Sequence, residues 1–124
     1  MSFPFVFKYE DNFYMIPETH EANSVRLYKC SSFPDKWVYS HDLISNTRCV
    51  DSILIKKDSL FYLINTFSIY DDFSSRLNVY YSESPISKNW TNHKLNPVYF
   101  NIKSGRNGGL LFQNEKIIRV AQTC

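Results

Sequence analysis

Ser52-Ile-Leu-Ile-Lys-Lys-Asp58 running into Ser59-Leu-Phe-Tyr-Leu-Ile-Asn65 is the stretch on which the fold turns. A short apolar run, a polar Lys-Lys-Asp-Ser break and a second apolar run rich in β-branched and aromatic residues spell a β-hairpin. The unit recurs on both sides. Phe5-Val-Phe-Lys-Tyr-Glu-Asp11 leads into Asn12-Phe-Tyr-Met-Ile-Pro17 before it, and Gly109-Leu-Leu-Phe-Gln-Asn-Glu115 leads into Lys116-Ile-Ile-Arg-Val120 after it. Phe5 precedes Ile53 by 48 residues and Ile53 precedes Leu110 by 57, spacings that suit the blades of a propeller.

After each of the first two hairpins comes an alternating stretch, Ser24-Val-Arg-Leu-Tyr-Lys-Cys30 and Arg76-Leu-Asn-Val-Tyr-Tyr-Ser82, that reads as a third strand. Each then passes through a Ser/Pro turn to a tryptophan, in Ser31-Ser-Phe-Pro-Asp-Lys-Trp37 and Ser84-Pro-Ile-Ser-Lys-Asn-Trp90. A fourth, weaker strand is predicted near Val38–Leu43 and again near Thr91–Leu95. A sandwich of about ten short strands is the alternative, but a sandwich has no reason to repeat a tryptophan after a matched turn. The expected fold is therefore all-β: a partial β-propeller with two four-stranded antiparallel blades, at residues 1–47 and 48–98, plus one extra hairpin within 99–124. Propellers close with four or more blades. The third hairpin would present an unpaired edge, so chains are expected to assemble through it, or the chain is part of something longer.

Composition agrees with a β fold. Of 124 residues, 17% are aromatic, dominated by 10 Phe and 9 Tyr, while Gly numbers 3. The net charge is +2 with scattered basic residues and a pI near 8.4, which argues against a nucleic-acid partner. Lys56-Lys57 is followed at once by Asp58 and reads as a solvated turn. No stretch approaches the ~18 apolar residues of a membrane span, and no basic-then-apolar leader opens the chain. Cys30, Cys49 and Cys124, widely spaced and odd in number, suggest reduced thiols and a cytoplasmic setting. Asn89-Trp90-Thr91 matches the glycosylation acceptor pattern, which in that setting is a chance match.

A family resemblance emerges from the ordered series Ser2-Phe-Pro-Phe-Val-Phe-Lys-Tyr-Glu-Asp11, Phe13-Tyr-Met-Ile-Pro-Glu-Thr19, Val25-Arg-Leu-Tyr-Lys29 and Phe33-Pro-Asp-Lys-Trp37. Cys49-Val-Asp51, Leu63-Ile-Asn65, Leu95-Asn-Pro-Val98, Ser104-Gly-Arg106 and Arg119-Val-Ala-Gln-Thr-Cys124 continue it. The chain resembles, over nearly its whole length, the N-terminal β-propeller domain of glucosamine inositolphosphorylceramide transferases. That domain is distantly similar to the five-bladed propellers of glycoside hydrolase families 43 and 32. The resemblance implies a central carbohydrate-binding cleft. It also implies that a blade is missing before Ser2 and others after Cys124, so the chain is expected to be a truncated form.

The candidate site residues are polar groups at the ends of the hairpin strands. Glycoside hydrolysis uses two carboxylates, and Glu18, after the second strand, and Asp51, just before a strand, are the candidates. Both could equally bind loop backbone. Arg106, in the flexible Gly105-Arg-Asn-Gly-Gly109 before the third hairpin, could fork onto a carboxylate or phosphate, or pair with Glu18 or Asp51. Those glycines lack the strand–loop–helix context of a phosphate loop. Asn65 and Gln122 end matching second strands and could bond sugar hydroxyls. His20 shares a strand face with Glu18 by alternation, but one His and one Glu fall short of a metal site. Trp37 and Trp90 could stack on sugars, although their repetition favours packing. No cofactor is implied. The expected function is a carbohydrate or nucleotide-sugar binding module, not active alone. The alternatives are a glycoside hydrolase or glycosyltransferase-associated domain completed by oligomerisation, and a non-catalytic structural remnant.

Overall fold

The computed structural model describes residues 4–18, 23–67, 76–94, 96, 98–99, 106–113 and 116–122, and all regular structure among them is strand. β1 (Phe5–Tyr9), β2 (Asn12–Ile16), β3 (Ser24–Ser32) and β4 (Lys36–Ser45) form one antiparallel sheet in that order. β5 (Cys49–Lys57), β6 (Leu60–Phe67) and β7 (Arg76–Ser82) begin a second, completed by two short strands that both pair with β7, β8 (Thr91–Asn92) and β9 (Val98–Tyr99). β10 (Arg106–Gln113) and β11 (Lys116–Gln122) pair as a separate hairpin lying against β5 and β6. The all-β expectation holds, as two antiparallel sheets, of four and five strands, and an extra hairpin. The described sheets stay open and form no ring. No helix among the described residues is long and apolar enough to cross a membrane.

The repeat extends to backbone detail. The first two hairpins have a two-residue turn: Glu10-Asp11 between Tyr9 and Asn12, and Asp58-Ser59 between Lys57 and Leu60. Glu10 and Asp11 have φ of 47° and 64°, and Asp58 has 57°. Such left-handed turn residues match the right-handed strand twist. Five residues of the first strand pair in unbroken register behind each turn. The tryptophans repeat as well: Trp37 Nε1–H donates to the Pro34 carbonyl at 3.1 Å, and Trp90 Nε1–H to the Ser87 carbonyl at 2.8 Å. Each indole closes the turn three residues upstream, and Trp90 also packs against the core.

The fourth strands differ from expectation. β4 begins before Trp37 and runs ten residues, while the described residues of the stretch predicted over Thr91–Leu95 hold only the two of β8. Asn96 explains the shortening. Its Oδ1 accepts from the Val79 N–H at 2.9 Å and its Nδ2 donates to the Val79 carbonyl at 2.7 Å. The side chain thus takes the Val79 N–H that a longer β8 would use, while the His93 N–H still donates to the Val79 carbonyl at 2.9 Å.

The two sheets pack face to face over one apolar cluster. Tyr14, Ile16, Val25, Leu27 and Leu43 come from the first sheet, and Cys49, Leu54, Leu63 and Tyr80 from the second. Phe7 stacks on Tyr14 at 5.5 Å, and across the interface Tyr9 meets Phe61 edge to face at 5.9 Å. At its outer end His41, on β4, bonds the Ile86 carbonyl at 2.7 Å through Nε2. A carbonyl only accepts, so Nε2 carries the hydrogen there. Leu63 is fully buried at this interface while Val38 is 56% exposed. Leu63→Ala is expected to lower unfolding stability by about 2–5 kcal/mol, and Val38→Ala by less than about 0.5 kcal/mol, as read by urea denaturation.

A polar cluster at the β5 bulge as candidate site

β5 and β6 pair from Lys57–Leu60 to Ile53–Ile64, and pairing resumes at Val50–Thr66. Asp51 and Ser52 therefore oppose the single residue Asn65, which is a β-bulge. Asp51 adopts φ 53°, a left-handed conformation that disfavours a side chain, although Asp tolerates it better than most residues. Strain of this kind costs of order 1–3 kcal/mol and concentrates at functional sites. Asp51 thus sits inside β5, where the sequence had placed it just before a strand, because backbone pairing continues through the bulge to Cys49. The third hairpin is also irregular at this point, with a register shift between Asn107 and Gly109.

The bulge is polar and closed. Asp51, Ser52, Asn65 and Thr66 are all buried. Burying a polar group without partners costs free energy, and at Asn65 that cost is unrelieved. It is 0% exposed, and neither its Oδ1 nor its Nδ2 meets a hydrogen-bond partner among the described residues. One acceptor and two donors (an amide's full capacity) are left unused. The neighbouring Asn78 is different, since its Nδ2 donates to the Tyr80 hydroxyl at 3.0 Å.

The structure brings Asp51 and Asn65 together across the bulge. Glu18 lies half-buried two residues past the end of β2 and outside any strand. The expected strand-face relation between Glu18 and His20 therefore fails at Glu18, because β2 ends at Ile16 before Pro17; His20 itself lies outside the described residues. Arg106 belongs to β10, not to a flexible stretch ahead of it, and its backbone pairs with Gln122 in β11. Counted from the hairpin turns, Glu18, Thr66 and Gln122 hold the same position in their units. Sequence reasoning missed Ser52 and Thr66, although this count was available for Thr66. Among the described residues no cluster of His, Cys, Asp and Glu could hold a metal.

Two wider grooves lie elsewhere. One, of about 530 Å³, runs along Asn12, Lys29, Ser31 and Tyr39; the other, of about 480 Å³, along Leu60, Tyr81, Glu83 and Asn89. Neither includes Asp51, Asn65 or Glu18. Cys49, next to the bulge in sequence, is a free thiol that burial pushes up to about 11, only partly offset by its 3.4 Å hydrogen bond with Thr47.

These features define a class: an all-β repeat domain whose inner hairpin carries a strained bulge and an unmet buried amide. The whole chain, residues 1–124, matches the family model described as glucosamine inositolphosphorylceramide transferase 1, N-terminal, and the chain belongs to that family. It is 39% identical over 129 residues to glucosamine inositolphosphorylceramide transferase 1 of Oryza sativa subsp. japonica, and 34% identical over 131 residues to the Arabidopsis thaliana protein of that name. Both alignments cover 100% of this chain but only 17% of the relative. No solved structure matches the chain significantly.

Replacing Asn65 by an apolar side chain of similar size removes the unmet polar atoms. Asn65→Leu is expected to stabilise the ligand-free chain by about 1–3 kcal/mol, raising its urea midpoint; an unchanged or lower midpoint contradicts an unmet amide. Thiolates, not thiols, react with alkylating agents. Iodoacetamide at neutral pH is therefore expected to leave Cys49 unmodified by mass spectrometry until urea unfolds the chain.

Proposed function

We propose that this chain is a carbohydrate or nucleotide-sugar recognition module of a glycosyltransferase-associated protein, and that it does not catalyse a reaction alone. The observation that supports this most is Asn65. A primary amide with one acceptor and two donors suits the mixed donor–acceptor character of sugar hydroxyls. A site built to hydrogen-bond hydroxyls discriminates strongly against ligands that lack them. Asp51 supplies a carboxylate beside it in the ladder. The named relatives are transferases of a glucosamine-containing product, so an amino sugar or its nucleotide-linked donor is the ligand class we favour. The repeated hairpins favour a propeller arrangement akin to that of glycoside hydrolase families 43 and 32, with these strand ends facing a common centre. Glu18 and Gln122 would then contribute from the neighbouring units.

Isothermal calorimetry with glucosamine, N-acetylglucosamine and UDP-N-acetylglucosamine tests the reading. Binding of at least one is expected, weakened about tenfold or more in Asn65→Leu and Asp51→Asn, a loss of about 1.4 kcal/mol or more. Equal binding by both variants and the parent chain, or no heat with any of the three, would remove the bulge as the site.

A further inference from the structure

The face of the second sheet that packs on the first continues past the apolar cluster. Its rungs on β6 and β7 are Phe61 with Ser82, Leu63 with Tyr80, and Asn65 with Asn78. Directly opposed residues of an antiparallel pair project from one side of the sheet, with Cβ atoms about 4.5–5.5 Å apart. Leu63 and Tyr80 belong to the core cluster and Phe61 packs against it. The next rung therefore sets two primary amides side by side on that same face. Nothing in the repeat requires an amide there. Counted from the pair that closes each hairpin, the position of Asn65 is held by Pro17 in the first unit and by Ala121 in the third.

Two amides on one rung can satisfy each other, because each has both donors and an acceptor. Here they do not. Asn65 bonds nothing among the described residues, although Asn78 stands opposite. Asn78 instead donates from Nδ2 to the Tyr80 hydroxyl at 3.0 Å. That bond turns its nitrogen to Tyr80 and leaves Oδ1 on the other side of the planar amide group. None of the described residues donates to that oxygen. The anchor itself is well held. Tyr80 is buried in the core, and burial pushes its hydroxyl above the usual range, partly offset by hydrogen bonds from Asn78 and Thr47. The hydroxyl therefore keeps its proton at neutral pH. Thr47 in turn bonds Cys49 Sγ at 3.4 Å, so a polar chain runs from a buried thiol to the Asn78 amide. Access also differs between the two amides: Asn65 is closed to solvent, whereas Asn78 is only half-buried.

We propose that Asn65 and Asn78 form one recognition rung that reads two adjacent ring hydroxyls of the sugar, with Tyr80 as the positioning residue that sets the Asn78 amide. One hydroxyl accepts from Asn65 Nδ2, and its neighbour donates to Asn78 Oδ1. A hydroxyl can take either part, and a rung of two amides offers both at once. The bound sugar thereby gives Asn65 the partner that the described residues do not. Such a site rejects an analogue lacking one of the hydroxyls, because an amide is then left unpaired. The inference rests on the sugar-binding reading of the bulge. To that reading it adds a further residue that meets the ligand and the part of the sugar that is read.

Calorimetry with N-acetylglucosamine and its two monodeoxy analogues, each lacking one of the adjacent ring hydroxyls, tests the rung. The parent chain is expected to bind at least one analogue about tenfold or more weakly than the full sugar. Asn78→Leu removes the acceptor, so this variant is expected to lose that preference. Asn78→Asp keeps an oxygen in the place of Oδ1 and is expected to retain most of it. Tyr80→Phe keeps the ring in the core but releases the amide, and is expected to reduce the preference; it carries the test should Asn78→Leu fail to fold. A purely structural role for either residue would weaken all three sugars equally and leave the preference in place. The inference is overturned, with the bulge site still standing, if Asn65→Leu weakens binding while Asn78→Leu and Tyr80→Phe keep the parent's preference. A parent chain that binds the three sugars equally overturns it too. So does the absence of heat with N-acetylglucosamine, and the sugar-binding reading falls with it only if glucosamine and the UDP-linked sugar are also silent.

Discussion

The structure depends on one constraint: each sheet has two apolar faces, and neither can be left in water without cost. Burying one Leu or Ile side chain is worth about 1.5–3 kcal/mol, and the interface between the sheets buries Ile16, Leu27, Leu54 and Leu63 together. The aromatic pair Tyr9–Phe61 and the His41–Ile86 bond fix how one sheet sits on the other. Strand length, turn type and register serve that packing. A slip of one residue in β6 would turn Leu63 outward and Tyr62 inward.

That constraint also explains where the candidate site lies. Five regular pairs behind each of the first two turns align the apolar side chains with the interface, and the regular ladder is spent once they are buried. In the second hairpin the next residues are Asp51, Ser52 and Asn65, where the ladder breaks into a bulge. Apolar packing no longer dictates the residue type there, which leaves room for polar groups that serve something other than the core. Asn65 is the clearest case, for a side chain wholly closed to solvent with no partner among the described residues lowers stability by its presence. A protein tolerates that most readily where the group meets a ligand.

Much of this was legible in the residues themselves. The three apolar–polar–apolar hairpins and the two Trp-ended turns gave the strand order and the repeat, because hairpin turns and two-residue alternation are local signals. The length of β8 was not legible, since it depends on Asn96 reaching back to Val79, a contact between residues 17 apart. The site was half legible. Asp51 and Asn65 stood out as polar residues at strand ends, but their opposition across a bulge needs the register of β5 on β6. Arg106 was misread as flexible because its glycine neighbours suggest a loop, whereas β10 runs on through them to pair with Gln122. The family likeness read from the ordered motifs agrees with the match over residues 1–124, although a chain covering 17% of its relatives does not inherit their activity by that fact.

The central claim is that the unmet amide at the bulge is where a sugar binds. The most direct measurement is a titration of isotope-labelled chain with N-acetylglucosamine and its UDP-linked form, following amide resonances by NMR. The account predicts that the side-chain amide pair of Asn65 and the backbone amides of Asp51 and Ser52 shift most and together. Shifts confined to the outer grooves near Tyr39 or Asn89, with the Asn65 amide unmoved, would contradict it.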